Sequence, residues 1–213
     1  MEPHLKNTSL LKILCFAVLI PSLVFAAQKP RKLKPNEYRD ARDKQVYRLV
    51  RIDGIEWFAD NLNYDAKGSF CYKDSDENCM AYGRLYTWSA AQSACPSGFR
   101  LPAQAEFEKL WNAAGADFNA GYLIKTTYGW SGETNGNDSL GFGAMPAGNR
   151  FDDETYANMG RFAFFWSADD TLEGILTGFA RVWYLTSKSM SFGYMSKEKT
   201  YGFSVRCVRE YEK

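Results

Sequence analysis

The hydrophobic period changes from run to run along this chain, and each change predicts an element. A nearly continuous apolar run occupies residues 13–24, behind Lys6 and Lys12. Residues 45–52 then alternate in part, Asp53-Gly54 suits a two-residue turn, and Ile55-Glu-Trp-Phe58 returns, which predicts a hairpin and a domain start near Val46. Asn61-Leu-Asn-Tyr64 leads into a polar loop ending at Cys79, and Tyr82-Gly-Arg-Leu-Tyr86 runs into a first short helix. Cys95-Pro96 ends that helix, because proline cannot continue the hydrogen-bond ladder and restricts the residue before it. Phe107, Leu110, Trp111 and Ala114 recur at helical spacing as far as Gly115 and predict a second, amphipathic helix.

Residues 117–160 are dense in Gly, Asn and aromatics and lack a period, so a long loop is expected there, and loops of that length are usually functional or disordered. Residues 161–167, 179–185 and 202–208 read as strands. In the last of them Phe203, Val205 and Cys207 share one face, and Ser204 and Arg206 the other, as in a half-buried strand. The sum is one α+β domain, residues 45–213, with two short helices, antiparallel strands and a long irregular loop region, and with no internal repeat.

The N-terminal run reads as a secretory signal peptide, residues 1–26, cut after Ala26 where Val24 and Ala26 are the small residues a peptidase needs. A retained anchor is the competing reading, but the run is shorter than the roughly 20 apolar residues of a membrane span and Pro21 interrupts it. Cys15 lies inside the run rather than after a lipobox, so it leaves with the leader. The expected address is secreted or cell-surface, or the periplasm, with no transmembrane span after cleavage. Residues 27–44 are a basic stretch, Lys29-Pro-Arg-Lys-Leu-Lys34 included, read as a solvated linker. Losing Lys6, Lys12 and Glu2 from the 26 basic and 25 acidic residues leaves 24 of each, which provides no net pull toward nucleic acid.

His4 is the one histidine and belongs to the leader, so the mature chain cannot build a Ser-His-Asp or Cys-His nucleophile or a histidine-ligated zinc site. Cys71, Cys79, Cys95 and Cys207 remain, an even number in an exported chain, which favours disulfides. They allow three pairings, and sequence alone does not choose among them. The polar loop Lys73-Asp-Ser-Asp-Glu-Asn78 suits a local Cys71–Cys79 bridge, which would leave Cys95 for Cys207. Asp74, Asp76 and Asn78 alternate as in a calcium-binding EF-hand loop, but Cys79 stands where that loop needs glycine and Leu85 where it needs a bidentate acid. No metal and no cofactor is therefore expected, with calcium kept as the one alternative. Asp152, Asp153 and Glu154 read as a solvated acidic cluster, and no catalytic acid-base pair is assigned.

Ordered small matches cover nearly all of the mature domain: Gly54-Ile-Glu-Trp-Phe-Ala-Asp-Asn-Leu-Asn-Tyr64, Tyr82-Gly-Arg-Leu-Tyr-Thr-Trp88, Cys95-Pro-Ser-Gly-Phe-Arg-Leu-Pro102, Gly141-Phe-Gly-Ala-Met-Pro-Ala-Gly148 and Trp166-Ser167. With these the chain resembles the Fibrobacter succinogenes major paralogous domain family, whose layout is similar to C-type-lectin-like domains. The resemblance implies an exported C-type-lectin-like fold, a long-range Cys95–Cys207 bridge and a place at the cell surface, and it names no ligand. Sugar-binding C-type lectins set a Glu-Pro-Asn or Gln-Pro-Asp triplet where this chain has Glu133-Thr-Asn135-Gly-Asn137-Asp138, without the proline. Their Trp-Asn-Asp partner is only approximated by Phe165-Trp-Ser-Ala-Asp-Asp170, so the calcium-sugar motif does not carry over.

Trp130, Tyr128, Trp166, Trp183 and Tyr184 could form a carbohydrate-stacking platform. Trp166 and Trp183 lie in strand-like runs and read as core, whereas Tyr128 and Trp130, flanked by Gly129 and Gly132, are expected to be exposed. The candidate ligand surface is thus Tyr128, Trp130, Asn135, Asn137, Asp138 and Arg150. The expected role is a non-catalytic binding module for a polysaccharide, cell-surface glycan or envelope polymer. Its alternatives are a structural module that binds another surface protein and an enzyme like the formylglycine-generating enzymes of related fold, which use a reactive cysteine pair and copper.

Overall fold

The computed structural model describes residues 31–132, 134–170 and 177–211. The expected signal peptide and Glu133 lie outside them. Residues from Leu33 onward form one compact unit. In chain order its elements begin with β1 (Glu37–Arg39), β2 (Val46–Ile52), β3 (Ile55–Phe58), β4 (Ser69–Phe70), α1 (Asp76–Tyr82) and β5 (Leu85–Tyr86). Next come α2 (Trp88–Ala94), α3 (Gln104–Ala113), α4 (Ala120–Ile124), β6 (Asn149–Arg150) and β7 (Tyr156–Ala157). The chain closes with β8 (Phe162–Asp170), β9 (Phe179–Thr186), β10 (Ser189–Glu198) and β11 (Val208–Glu210).

The strands pair antiparallel, in a four-stranded sheet of order β1-β2-β3-β11, a three-stranded sheet of order β10-β9-β8, and the two-stranded pairs β4-β5 and β6-β7. This is an α+β architecture with short helices. Asp53 and Gly54 make the expected turn with φ of 47° and 77°, and Ile52 lies opposite Ile55. Helices start where side chains take up the orphan N–H groups of the first turn. Ser75 caps α1 by accepting from Asn78 N, Thr87 caps α2 by accepting from Ala90 N, and the Glu106 carboxylate of α3 accepts from Ala103 N at 2.7 Å. Cys95 leaves α2 with an extended ψ of 145°, as a residue before proline must.

The β8-β9-β10 sheet is covered on both faces. Phe165, Trp183 and Leu185 point into a cluster with Trp57, Phe107 and Phe142, while Trp166 and Val182 point into another with Phe58, Tyr86, Phe203 and Val205. Two bridges close the fold, Cys71–Cys79 across α1 and Cys95–Cys207 between the end of α2 and the approach to β11. Among the described residues no helix is long and apolar enough to cross a membrane.

Four expectations are corrected. The supposed linker 27–44 already belongs to the domain at residues 37–44: β1 pairs with β2, the Tyr38 ring lies 4.9 Å from that of Phe99, and the fully buried Asp40 holds Arg42. Among the described residues there are four α-helices where two were expected, because the acidic residues after Cys71 begin α1 and the supposed loop contains α4. Residues 189–198, read as no element, form the long strand β10. Finally, residues 202–208, expected as a strand, make only isolated bridges ahead of β11 and are buried throughout, Arg206 completely, because the segment after α4 covers the side expected to meet solvent.

Candidate functional site

The long segment before β8 is wired into the core. Trp130 is only 4% exposed, and its indole N–H donates to Ala144 O at 3.2 Å. The expected exposure therefore holds for Tyr128, 62% exposed, and fails for Trp130. Beneath the Trp130 ring, 4.4 Å from its centroid, lies the Nζ of the buried Lys125, which donates to the carbonyls of Thr134, Thr186 and Ser189. Burial pulls this ammonium down to about 8, and the three carbonyls and the ring face are what favour its proton.

The polar candidates serve turns. Asn135 Oδ1 accepts from Trp130 N, Asn137 Oδ1 from Ser139 N, and Asp138 Oδ1 from Gly143 N. Burial raises the Asp138 carboxyl above its ordinary range. Below that turn, Arg206 donates to Asn61 Oδ1 and to the carbonyls of Phe58, Phe142 and Gly143, which ties the segment to the hairpin strands. Arg150 contacts a different neighbourhood, lying 3.9 Å over the Phe70 ring and paired with Glu154 at 3.2 Å. The structure thus gathers Tyr128, Trp130, Asn135, Asn137 and Asp138 on one segment, with Arg150 making its contacts elsewhere.

A groove of about 410 Å³ opens instead between α3 and the β9-β10 hairpin, lined by Glu108, Trp111, Asn112, Trp183, Phe192, Gly193 and Tyr194. Glu108, Trp111 and Asn112 meet there because i, i+3 and i+4 share one helix face. Across from them Tyr194 is the register partner of Trp183, with ring centroids 5.2 Å apart, and Arg181 sits 5.0 Å over the Tyr194 ring. Phe107 and Phe192 hold Trp183 from behind at 5.6 and 4.8 Å. Tyr194 is 53% exposed, Trp111 half-buried, and Glu108 and Asn112 exposed. The Trp183 indole N–H is buried and has no acceptor among the described residues. Such a donor is costly, and being sealed from solvent it belongs to the wall behind the groove and not to its surface. The groove therefore offers flat ring faces, an amide and a carboxylate, a combination that suits a neutral ligand rich in hydroxyls.

Comparison with protein families decides the kinship, since the model of the Fibrobacter succinogenes major domain matches residues 45–209. The chain belongs to that family. No curated protein and no solved structure matches. Family membership assigns no ligand, so chemistry must be argued from the residues. Among the described residues no group of three or more His, Cys, Asp or Glu side chains is placed to hold a metal ion. In the stretch compared with an EF-hand, Asp74 accepts from the Tyr156 hydroxyl and Asn78 donates to Tyr72 O.

Sequence reasoning read Trp183 as core, which its burial bears out, and it did not single out Glu108, Trp111, Asn112, Arg181 and Tyr194, which gather at the groove. The helical spacing of Glu108, Trp111 and Asn112 was visible. Tyr194 was hidden with its strand, because Gly193 and a bulge between Ser189 and Gly193 blur the alternation.

Proposed function

We propose that this family member is an exported, non-catalytic module that binds a neutral carbohydrate polymer in the groove between α3 and the β9-β10 hairpin. One observation carries the reading: the groove presents the Trp111 and Tyr194 rings beside the Asn112 amide and the Glu108 carboxylate. Two disulfides suit an oxidising compartment and accord with the leader read in the sequence. They also weigh against a cysteine enzyme, which would first have to open one of these bridges.

A glycan and polysaccharide array probed with the mature protein, with and without calcium, tests the proposal. Binding to at least one neutral polysaccharide is expected, unchanged by chelation, and Tyr194→Ala should weaken it about tenfold, the scale of one stacking contact. Equal binding by wild type and Tyr194→Ala would move the site away from the groove.

A further inference from the structure

The opposite face of the β8-β9-β10 sheet carries a smaller cavity of about 220 Å³, whose lining includes Asn149, Phe151, Asn158, Phe164, Lys197 and Tyr201. We propose that this cup is a second binding site, taking one ring of a neutral sugar or similar polyol and reading two neighbouring hydroxyls. It shares a ligand class with the groove and none of its residues.

The argument rests on a pair of amides. Asn149 is 2% exposed, and its Oδ1 accepts from Asn158 Nδ2 at 2.7 Å. That bond occupies one end of each amide. The other ends, Asn149 Nδ2 and Asn158 Oδ1, make no hydrogen bond among the described residues, and neither is sealed from solvent. A donor and an acceptor thus stand side by side in a cavity, the complement of a diol in which one hydroxyl accepts and the next donates.

The pair is also fixed before any ligand arrives. Asn149 lies in β6 opposite Ala157, and Asn158 is held in a left-handed conformation, φ 69°, by hydrogen bonds from Arg161 N and Phe162 N to its carbonyl. Preorganised groups lose little freedom on binding. The half-buried Tyr201 and Phe151 rings, 5.2 Å apart and nearly perpendicular, supply an apolar wall. Charges of both signs stand near: Lys197 lines the cup, while Asp152, Asp153 and Glu198 are close enough to raise the Tyr201 hydroxyl's pKa, after burial as the main cause. Three carboxylates against one ammonium work against an anion, and the amide pair suits a neutral hydroxyl ligand.

The test uses the isotope-labelled mature protein titrated with the methyl pyranosides of glucose, galactose and mannose. Magnetic resonance follows the side-chain amides of Asn149 and Asn158 for the cup, and the Trp183 indole N–H for the groove. Saturable shifts of both amides are expected with at least one glycoside. Asn158→Gly, which tolerates the positive φ, should weaken them about threefold to tenfold as read at the Asn149 amide, the one that remains, the scale of a lost hydrogen bond. Tyr201→Ala should weaken them likewise through the wall, so the test survives if one variant fails to fold. No amide response to any glycoside, or titrations unchanged in both variants, overturns the cup. Tighter binding of methyl glucuronide than of the neutral glycosides overturns the neutral class and assigns the site to Lys197. A response confined to the indole keeps the groove and rejects the cup, and a response confined to the amides does the reverse.

Discussion

Trp130 lies in the irregular stretch between α3 and β8, and Trp183 lies in β9, the central strand of a regular sheet. Both are buried, at 4% and 2% exposure. The irregular one is the more completely committed: its indole N–H is bonded, its backbone N–H is bonded, and a lysine is seated under its ring. The regular one has an indole donor with no acceptor, at the wall of a groove. Irregular backbone therefore does not mark spare chemistry in this fold. A segment without its own ladder must bond its peptide groups to something, and here it does so by wrapping Lys125 and Arg206 in its carbonyls.

The strongest test of that contrast removes the anchor of the irregular segment. Arg206→Met leaves the Phe58, Phe142 and Gly143 carbonyls without their shared buried donor, and a loss of about 3 to 5 kcal/mol is expected in urea unfolding, the scale of breaking a buried charged network. A loss under about 1 kcal/mol would mean that the segment is held by packing alone.

Trp130→Ala comes next, with an expected loss of about 3 kcal/mol from the cavity it opens. Its neighbour Tyr128 shares the segment but is exposed, and Tyr128→Ala should stay within about 0.5 kcal/mol. Similar melting temperatures for the two variants would contradict the division between committed and free aromatics.

What could be read in advance follows the same division. The Asp53-Gly54 turn, the end of α2 at Cys95-Pro96 and the buried face of α3 at Phe107 and Leu110 depend on local rules, and the structure has each of them. The bridges Cys71–Cys79 and Cys95–Cys207 were among the allowed pairings, favoured by local spacing and family resemblance. Arg206 was misread because strand alternation assumes that one face meets solvent, and its partners Phe142 and Gly143 arrive from 64 and 63 residues away. Trp130 was misread for a like reason, since flanking glycines say what the backbone can do and not where it lies. The groove needed β10 beside α3, a tertiary adjacency that no local period encodes.

Lys125 allows a finer test, through pH. Its folded value of about 8 lies below the roughly 10.4 of an unfolded lysine. Below pH 8 both states hold the proton and stability does not depend on its titration. Between about 8 and 10.4 the unfolded chain binds more protons, so stability rises with pH, by no more than about 1.4 kcal/mol per unit. Subtracting the curve of Lys125→Met isolates this rise from Tyr47 and Tyr86, whose raised values act in the opposite direction above pH 10. A flat difference curve from pH 8 to 9.5 would show that the carbonyl cage holds the ammonium at its ordinary strength.

The smallest expected effect makes the sharpest comparison, because it applies one chemical change to both tryptophans. Trp130→Phe removes a bonded indole N–H and part of a packed ring, and about 1 to 2 kcal/mol should be lost. Ala144 O keeps the Thr126 donors, so no acceptor is orphaned and the cost stays below that of Trp130→Ala. Trp183→Phe also removes packed volume, but it eliminates a buried donor without an acceptor, and the two terms oppose each other to leave a change within about 0.5 kcal/mol. Binding should separate the pair in the other direction, since Trp183→Phe reshapes a ring in the groove's wall and Trp130→Phe touches nothing in the groove. Thermal melts and glycan binding measured on both variants decide it. Equal destabilisation by the two changes would show that Trp183 is as fully committed to the core as Trp130.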